Sequence, residues 1–232
     1  QTSLSFTNLT GDFTAPNRGV QHWGTSQWDD TYQPTVPAGN SIPMNYYTRF
    51  NLKDIVSNTS RTTFTWTTFD NFVKSAIDNG AMFSFGVMVY CNGCGTFGEL
   101  PQWMQDDMTA DGKPAWSDGG FMTPNYQAPS LITDQSYILR TIANHINTTT
   151  YNGVLFSKAF LGYDMRHFGN FGEGNGIATG SGGTPSTAQV TDAYLMTMVD
   201  STIAIFPNVQ LTFATSYAAP YGNDYGNSEG MT

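Results

Sequence analysis

The ten residues Ala81-Met-Phe-Ser-Phe-Gly-Val-Met-Val-Tyr90 form an almost uninterrupted apolar run. A run of this length is too short for a membrane span. It reads as a strand covered on both faces, the environment of strands in parallel sheets. What precedes it narrows the fold further. Phe69, Phe72, Val73, Ala76 and Ile77 recur at i, i+3, i+4, i+7 and i+8, which is one face of a helix over Thr67 to Asn79. Thr67 or Thr68 is placed to cap its start, and Gly80 stands at the expected C′ position. Strand, helix and buried strand in this order imply a right-handed crossover.

The same alternation continues on either side. Asn17 to Trp23 reads as a first strand and Met44 to Leu52 as a second, with Arg49 and Asn51 near its end. A helix is expected from Thr133 to about Ile146, with Ile138, Ile142 and Ile146 on one stripe. A fourth strand begins at Ala159-Phe-Leu161 and turns polar at Asp164, Arg166 and His167. Thr184-Pro185 offers a cap and first turn for a helix running to about Ile205, with Val190, Tyr194, Leu195, Met198 and Val199 facing inward. Val209 to Ser216 reads as a fifth strand. Residues 1–17 form an irregular lead-in, and residues 91–130 form a long excursion of the kind that is usually functional.

Polar and aromatic residues gather after the strands, at their carboxyl ends. That is the organisation of a TIM-type (β/α)8 barrel, which typically needs ~250 residues for eight units. Here 232 residues hold five. The expectation is one barrel domain over residues 1–232 that contains about the first five β/α units and stops before strands six to eight. An open doubly wound sheet is the alternative, but no phosphate-binding glycine motif follows the first strand.

Composition excludes several classes of partner. The net charge is −9 and only 12% of residues are charged, so no basic patch is available to neutralise nucleic-acid phosphates. No apolar run reaches ~18 residues, so no membrane span is expected. Abundant Asn, Thr and Tyr with little Lys suit a secreted, extracellular protein, and N-x-[S/T] sequons occur at Asn8, Asn58 and Asn147. Cys91 and Cys94 are the only cysteines. A metal site would need two more soft ligands, and the three histidines have no finger-like spacing. A small loop-closing disulfide is the expectation. Asp106, Asp107 and Asp111 lack the full calcium-loop pattern and read as a solvated loop. No serine elbow, Cys/His pairing or phosphate loop is present, and neither a cofactor nor a metal is expected.

The fourth strand runs into a glycine-rich loop, Gly169 to Gly176, that carries one carboxylate, Glu173. Glycines on both sides of it give the backbone conformations closed to other residues and let a ligand come close. Together with Asn17-Arg-Gly-Val, Tyr47-Thr-Arg-Phe, Trp66-x-x-Phe-Asp70, Phe85-Gly-Val-Met and Leu100-Pro-Gln-Trp-Met, the motif Gly169-Asn-Phe-Gly-Glu resembles the amino-terminal half of a known group. That group is the secreted barrel proteins related to clan A glycoside hydrolases, especially beta-galactosidase-like and polysaccharide-associated members. The resemblance covers residues 17 to about 217.

The resemblance implies an acid/base carboxylate after strand four and a nucleophile after strand seven. Glu173 lies at the first of these places. Gly172 stands where the clan usually has Asn, the nearest Asn being Asn170, and the strand that would supply the nucleophile is absent from this stretch. Glu173 is therefore the candidate general acid/base, in a pocket with Phe168 and Phe171. Asp164 is expected to pair with Arg166 or Arg49. His22 and His167 are candidates for bonding sugar hydroxyls, and Arg49, Arg166 and Asn170 for lining the mouth. Trp23, Trp103 and Tyr217, near strand ends, are candidates for stacking on sugar faces. Trp66 reads as core. The expected function is an extracellular glycoside hydrolase-like protein acting on or binding a poly- or oligosaccharide. The alternative is a non-catalytic carbohydrate-binding or structural glycoprotein with a degenerate barrel.

Overall fold

A computed structural model describes residues 20–23, 44–91, 93–118, 120–173 and 188–213. Strands β1 (Val20–Trp23) and β2 (Met44–Asn51) are followed by a helical turn α1 (Leu52–Ile55), helix α2 (Thr67–Asp78) and strand β3 (Met82–Met88). A 3-10 turn at Gly95–Gly98, helix α3 (Gln102–Ala110) and a hairpin of β4 (Trp116–Asp118) and β5 (Phe121–Thr123) lead to helix α4 (Pro129–Thr148). A second hairpin, β6 (Thr150–Tyr151) with β7 (Val154–Leu155), and the turn α5 (Phe156–Ala159) precede β8 (Phe160–Met165). A 3-10 turn at Asn170–Gly172, helix α6 (Asp192–Ile205) and β9 (Gln210–Phe213) follow.

The fold is mixed α/β. Its main sheet has five strands in the order β1-β2-β3-β8-β9, with every neighbouring pair parallel. The five strands read from the sequence thus lie side by side in chain order. The order never reverses, whereas a doubly wound sheet reverses once.

The two faces of the sheet differ in chemistry because side chains alternate along a strand. On one face Tyr46, Phe50, Phe83 and Phe85 meet Phe69 and Phe72 of α2, with ring centroids 5.2–6.4 Å apart. Tyr163 of β8 joins them, 5.3 Å from Phe85 and 5.1 Å from Phe206 at the end of α6. These rings are the centre of the core, and such edge and offset contacts add to their area burial. On the other face the register sets Tyr47 opposite Ser84 and Gly162, and Arg49 opposite Gly86 and Asp164. This face is polar. Asn45 Nδ2 reaches Ser84 Oγ across it at 3.2 Å.

Several sequence expectations are corrected. Thr184 and Pro185 lie outside the described residues, and helix α6 itself begins at Asp192, where Thr191 Oγ1 accepts the Tyr194 N–H at 3.2 Å. Thr191 therefore caps it, and Val190 lies before the helix. The helix expected from Thr133 starts four residues earlier, with Pro129 at its first position, where a missing N–H costs nothing. Neither Thr67 nor Thr68 caps α2, because Trp66 is its N-cap and makes no side-chain cap bond. The 91–130 excursion is not an irregular loop, since it contains α3 and the β4–β5 hairpin. Gly80 does take the left-handed conformation of a C′ glycine, φ +64°. The lead-in, Asn8, Tyr217 and the side chains of His22 and Trp23 lie outside the described residues.

Candidate functional site

Five side chains converge over the carboxyl end of the polar face. Tyr47 and Arg49 come from β2, Asp164 from β8, Arg166 from just after it, and Glu173 from just after the following 3-10 turn. Tyr47 Oη donates to Asp164 Oδ2, and Arg166 Nε donates to the same oxygen at 2.6 Å. Arg49 Nε and Arg166 Nη2 both donate to Tyr47 Oη, at 3.1 and 3.3 Å. Arg49 Nη1 donates to Glu173 Oε1 at 2.5 Å, and Arg166 Nη1 stands 3.8 Å from that oxygen. The formal charges balance, two guanidinium groups against two carboxylates. Burial raises the Tyr47 phenol above its usual pKa, and the Asp164 bond adds to this, so it remains a neutral donor.

Openness to solvent is graded through the cluster. The side chains of Asp164 and Arg166 are 7% and 8% exposed, that of Arg49 15%, and that of Glu173 32%. The inner pair is nearly buried, and Glu173 is the most open member of the cluster.

Glycine makes this approach possible at two places. A Cβ on Gly86 would lie 2.7 Å from Arg166 Cγ, so Arg166 can cross β3 only because residue 86 has none. Gly172, at φ +65°, folds the turn back so closely that a Cβ there would lie 2.8 Å from the Arg166 carbonyl oxygen. The Glu173 N–H then donates to the Asn170 carbonyl at 3.1 Å, closing the turn and setting Glu173 above the strand end.

A second layer of phenols anchors the backbone between strand and turn. Tyr126 Oη accepts the Gly169 N–H at 3.2 Å, and Tyr194 Oη donates to the His167 carbonyl at 2.8 Å. Tyr126 and Tyr194 pack edge to face, 5.2 Å apart. The sequence reading named Tyr194 only as an inward-facing helix residue, did not single out Tyr126, and missed Tyr47 as the hub. For Tyr47 a signal existed, since it shares the strand face of Arg49 at spacing two.

The structure brings Arg49, Asp164, Arg166 and Glu173 together, with Asn170 in the turn beside them. It does not bring His167 there. His167 is buried, with Nε2 2.9 Å from Thr202 Oγ1 on α6. That hydroxyl donates its own proton to the Met198 carbonyl at 2.7 Å, so His167 Nε2 must be the donor. Burial lowers the His167 pKa to about 4, and the ring is neutral. Trp103 is also engaged elsewhere. It lies on α3, donates to the Ser57 carbonyl at 3.0 Å and carries the Arg61 guanidinium over its ring at 5.2 Å. Trp66 stacks on His145 with centroids 3.9 Å apart.

Cys91 and Cys94 stand at disulfide distance just after β3, with Cα atoms 5.5 Å apart. Asn58 and Asn147 are both exposed. Asp107 pairs with Arg61, and Asp111 Oδ2 accepts the Ser130 N–H at 2.7 Å. Among the described residues no group of three His, Cys, Asp or Glu side chains could hold a metal ion, and no helix is long and apolar enough to cross a membrane. No protein-family model matches the chain, and no curated protein matches it. What this site does is therefore argued from its own chemistry.

Proposed function

We propose that the cluster is the carbohydrate site of an extracellular glycoside hydrolase-like protein with Glu173 as its general acid/base. The supporting fold is a TIM-type barrel of which the five strands are an arc. One observation carries the reading. Glu173, in the loop after the fourth strand of the sheet, is the only cluster carboxylate about a third exposed, and Arg49 holds it while Arg166 Nη1 stands 3.8 Å away. A sheet that winds in one direction without reversal supports the barrel.

Asp164 is bound by Arg166 and Tyr47 and is nearly buried, so its part is to hold Arg166 in place. A retaining mechanism needs a second carboxyl ~5–5.5 Å from the acid/base, and an inverting one needs it at ~6.5–9.5 Å. That partner is assigned to a residue other than Asp164. An ion-paired carboxylate can take a proton from water. Donating one to a leaving oxygen requires the Arg49–Glu173 contact to open when substrate enters.

That closed contact favours a second reading, a non-catalytic carbohydrate-binding or structural glycoprotein that keeps the barrel. One variant separates the two. Glu173→Gln is nearly isosteric and removes proton transfer, worth ~10²–10⁴-fold in rate. Hydrolysis of ordinary glycosides should fall by that factor, and substrates with good leaving groups should be affected least. Unchanged hydrolysis in the variant would show that Glu173 is not the acid. A wild-type protein that binds glycans but hydrolyses none across a broad panel would support the second reading.

A further inference from the structure

We infer that Phe171 is the stacking platform of a sugar subsite beside Glu173, backed by the Cys91–Cys94 loop. The inference rests on the carbohydrate reading above. Phe171 is 37% exposed, and no other aromatic ring with a described side chain is exposed. Among the described residues the other exposed large apolar side chains are Met196 and Ile203 of α6, which have no part in the cluster.

The backbone of Phe171 is left-handed, φ 56° and ψ 15°, a conformation that glycine takes freely and a bulky residue does not. It stands between Gly169 at φ 84° and Gly172 at φ 65°. Strained non-glycine residues of this kind gather at ligand clamps. The ring of Phe171 gains little from burial in return for that strain, because it is not in the core.

The ring is also supported and aimed. A Cβ built on Gly93 would lie 3.5 Å from Phe171 Cζ, so the tip of the ring lies against Gly93, between the paired cysteines. That loop follows β3, which lies in the sheet between β2 and β8, the sources of Arg49 and Asp164. The turn carrying Phe171 packs against β3 itself. Ring and carboxylate are therefore both presented at the carboxyl end of the sheet, two positions apart in the same turn. A flat apolar face beside a hydrogen-bonding carboxylate fits a pyranose with an apolar C–H face, as in β-linked hexopyranose chains.

Calorimetric titration with cellohexaose, β-1,4-galactohexaose and chitohexaose, with maltohexaose as the α-linked control, tests this. Wild-type protein should bind at least one β-linked chain. Phe171→Ala should weaken that binding about tenfold or more, Phe171→Trp should retain it, and Cys91→Ser with Cys94→Ser should weaken it while the fold persists. Phe171→Gly should lose binding and yet melt at a higher temperature than wild type, because glycine relieves the left-handed backbone. A ring kept only for packing would not give that opposite movement of affinity and melting temperature. If wild type binds and Phe171→Ala binds equally well, the inference is overturned and the carbohydrate reading stands. If wild type binds none of the chains, the carbohydrate reading fails and the inference fails with it.

Discussion

Arg49 Nη1 and Glu173 Oε1 lie 2.5 Å apart across 124 positions of sequence. The contact joins the second strand of the sheet to the loop after the fourth and passes over β3 between them. Arg49 is held from behind by its Nε–Tyr47 bond, so it acts as a positioned clamp on the carboxylate.

Arg49→Ala should release Glu173 without unfolding the protein. Displacing a reacting group by about 1 Å can cost ~10²-fold, and a fall of that order is expected in kcat/KM on whatever glycoside is hydrolysed. The pair is partly open to solvent, so the urea midpoint should move little. Arg49→Lys keeps the charge but cannot reproduce the fork to Tyr47 and Glu173, and it should recover only part of the loss. Full activity in Arg49→Ala would remove the clamp from the mechanism.

Asp164 and Arg166 should behave as a buried pair. Asp164→Ala leaves the guanidinium of Arg166 without its main partner, and removing one member of a buried pair typically costs about 3–5 kcal/mol. The double change Asp164→Leu with Arg166→Met should cost less than the single one, because no uncompensated charge remains. Urea denaturation of the two variants measures the difference directly. Equal losses would show that the pair contributes no more than its volume.

His167 should make the protein sensitive to acid. Burial lowers its pKa in the fold from 6.5 to about 4. Between these values the unfolded chain binds more protons, so stability rises with pH there. The contribution is fully present above pH 6.5 and is lost as pH falls through about 4. Its full size is on the order of 2 kcal/mol or more. His167→Gln should flatten the urea midpoint between pH 4 and 6.5, and an unchanged slope would contradict the assignment.

Asp134 should act in the opposite sense. Burial is the main cause that raises its pKa from 3.8 to about 7; the Arg61 charge opposes it, and Asp107 adds to it. One carboxylate oxygen lies 3.3 Å from Arg61, and the other has no hydrogen-bond partner among the described residues. Here the folded form binds more protons, so this contribution is full below pH 3.8 and is lost as pH rises through about 7. Asp134→Asn should remove that decline and make the variant more stable than wild type at pH 8. Parallel stability curves for the two proteins from pH 5 to 8 would refute it.

Periodicity made the five strands of the main sheet, most of the helix faces and the glycine at the end of α2 legible, because each depends on residues within one or two turns of one another. Local signals were incomplete at α6, which starts at Asp192 with Thr191 as its cap, a residue that the sequence reading did not single out. The weakly patterned α3 gave no clear stripe, although Trp103, Met104 and Met108 bury one side of it. Parity along β8 would have removed His167 from the mouth. Asp164 and Arg166 share one face, and His167, one position on, turns to Thr202 of α6.

Alternation and spacing along the chain are enough to specify an α/β protein with parallel strands, a glycine-rich loop after the fourth of them and a single carboxylate in that loop. They cannot specify which groups meet it. The meeting of Arg49, Tyr47, Asp164, Arg166 and Glu173 depends on the register across β2, β3 and β8, where a shift of one residue would turn every polar side chain toward the aromatic core. It depends equally on Gly86 and Gly172, whose missing Cβ atoms give Arg166 room to lie across the sheet. Those are contacts between segments far apart in the chain, and only the packed sheet brings them within reach of one another.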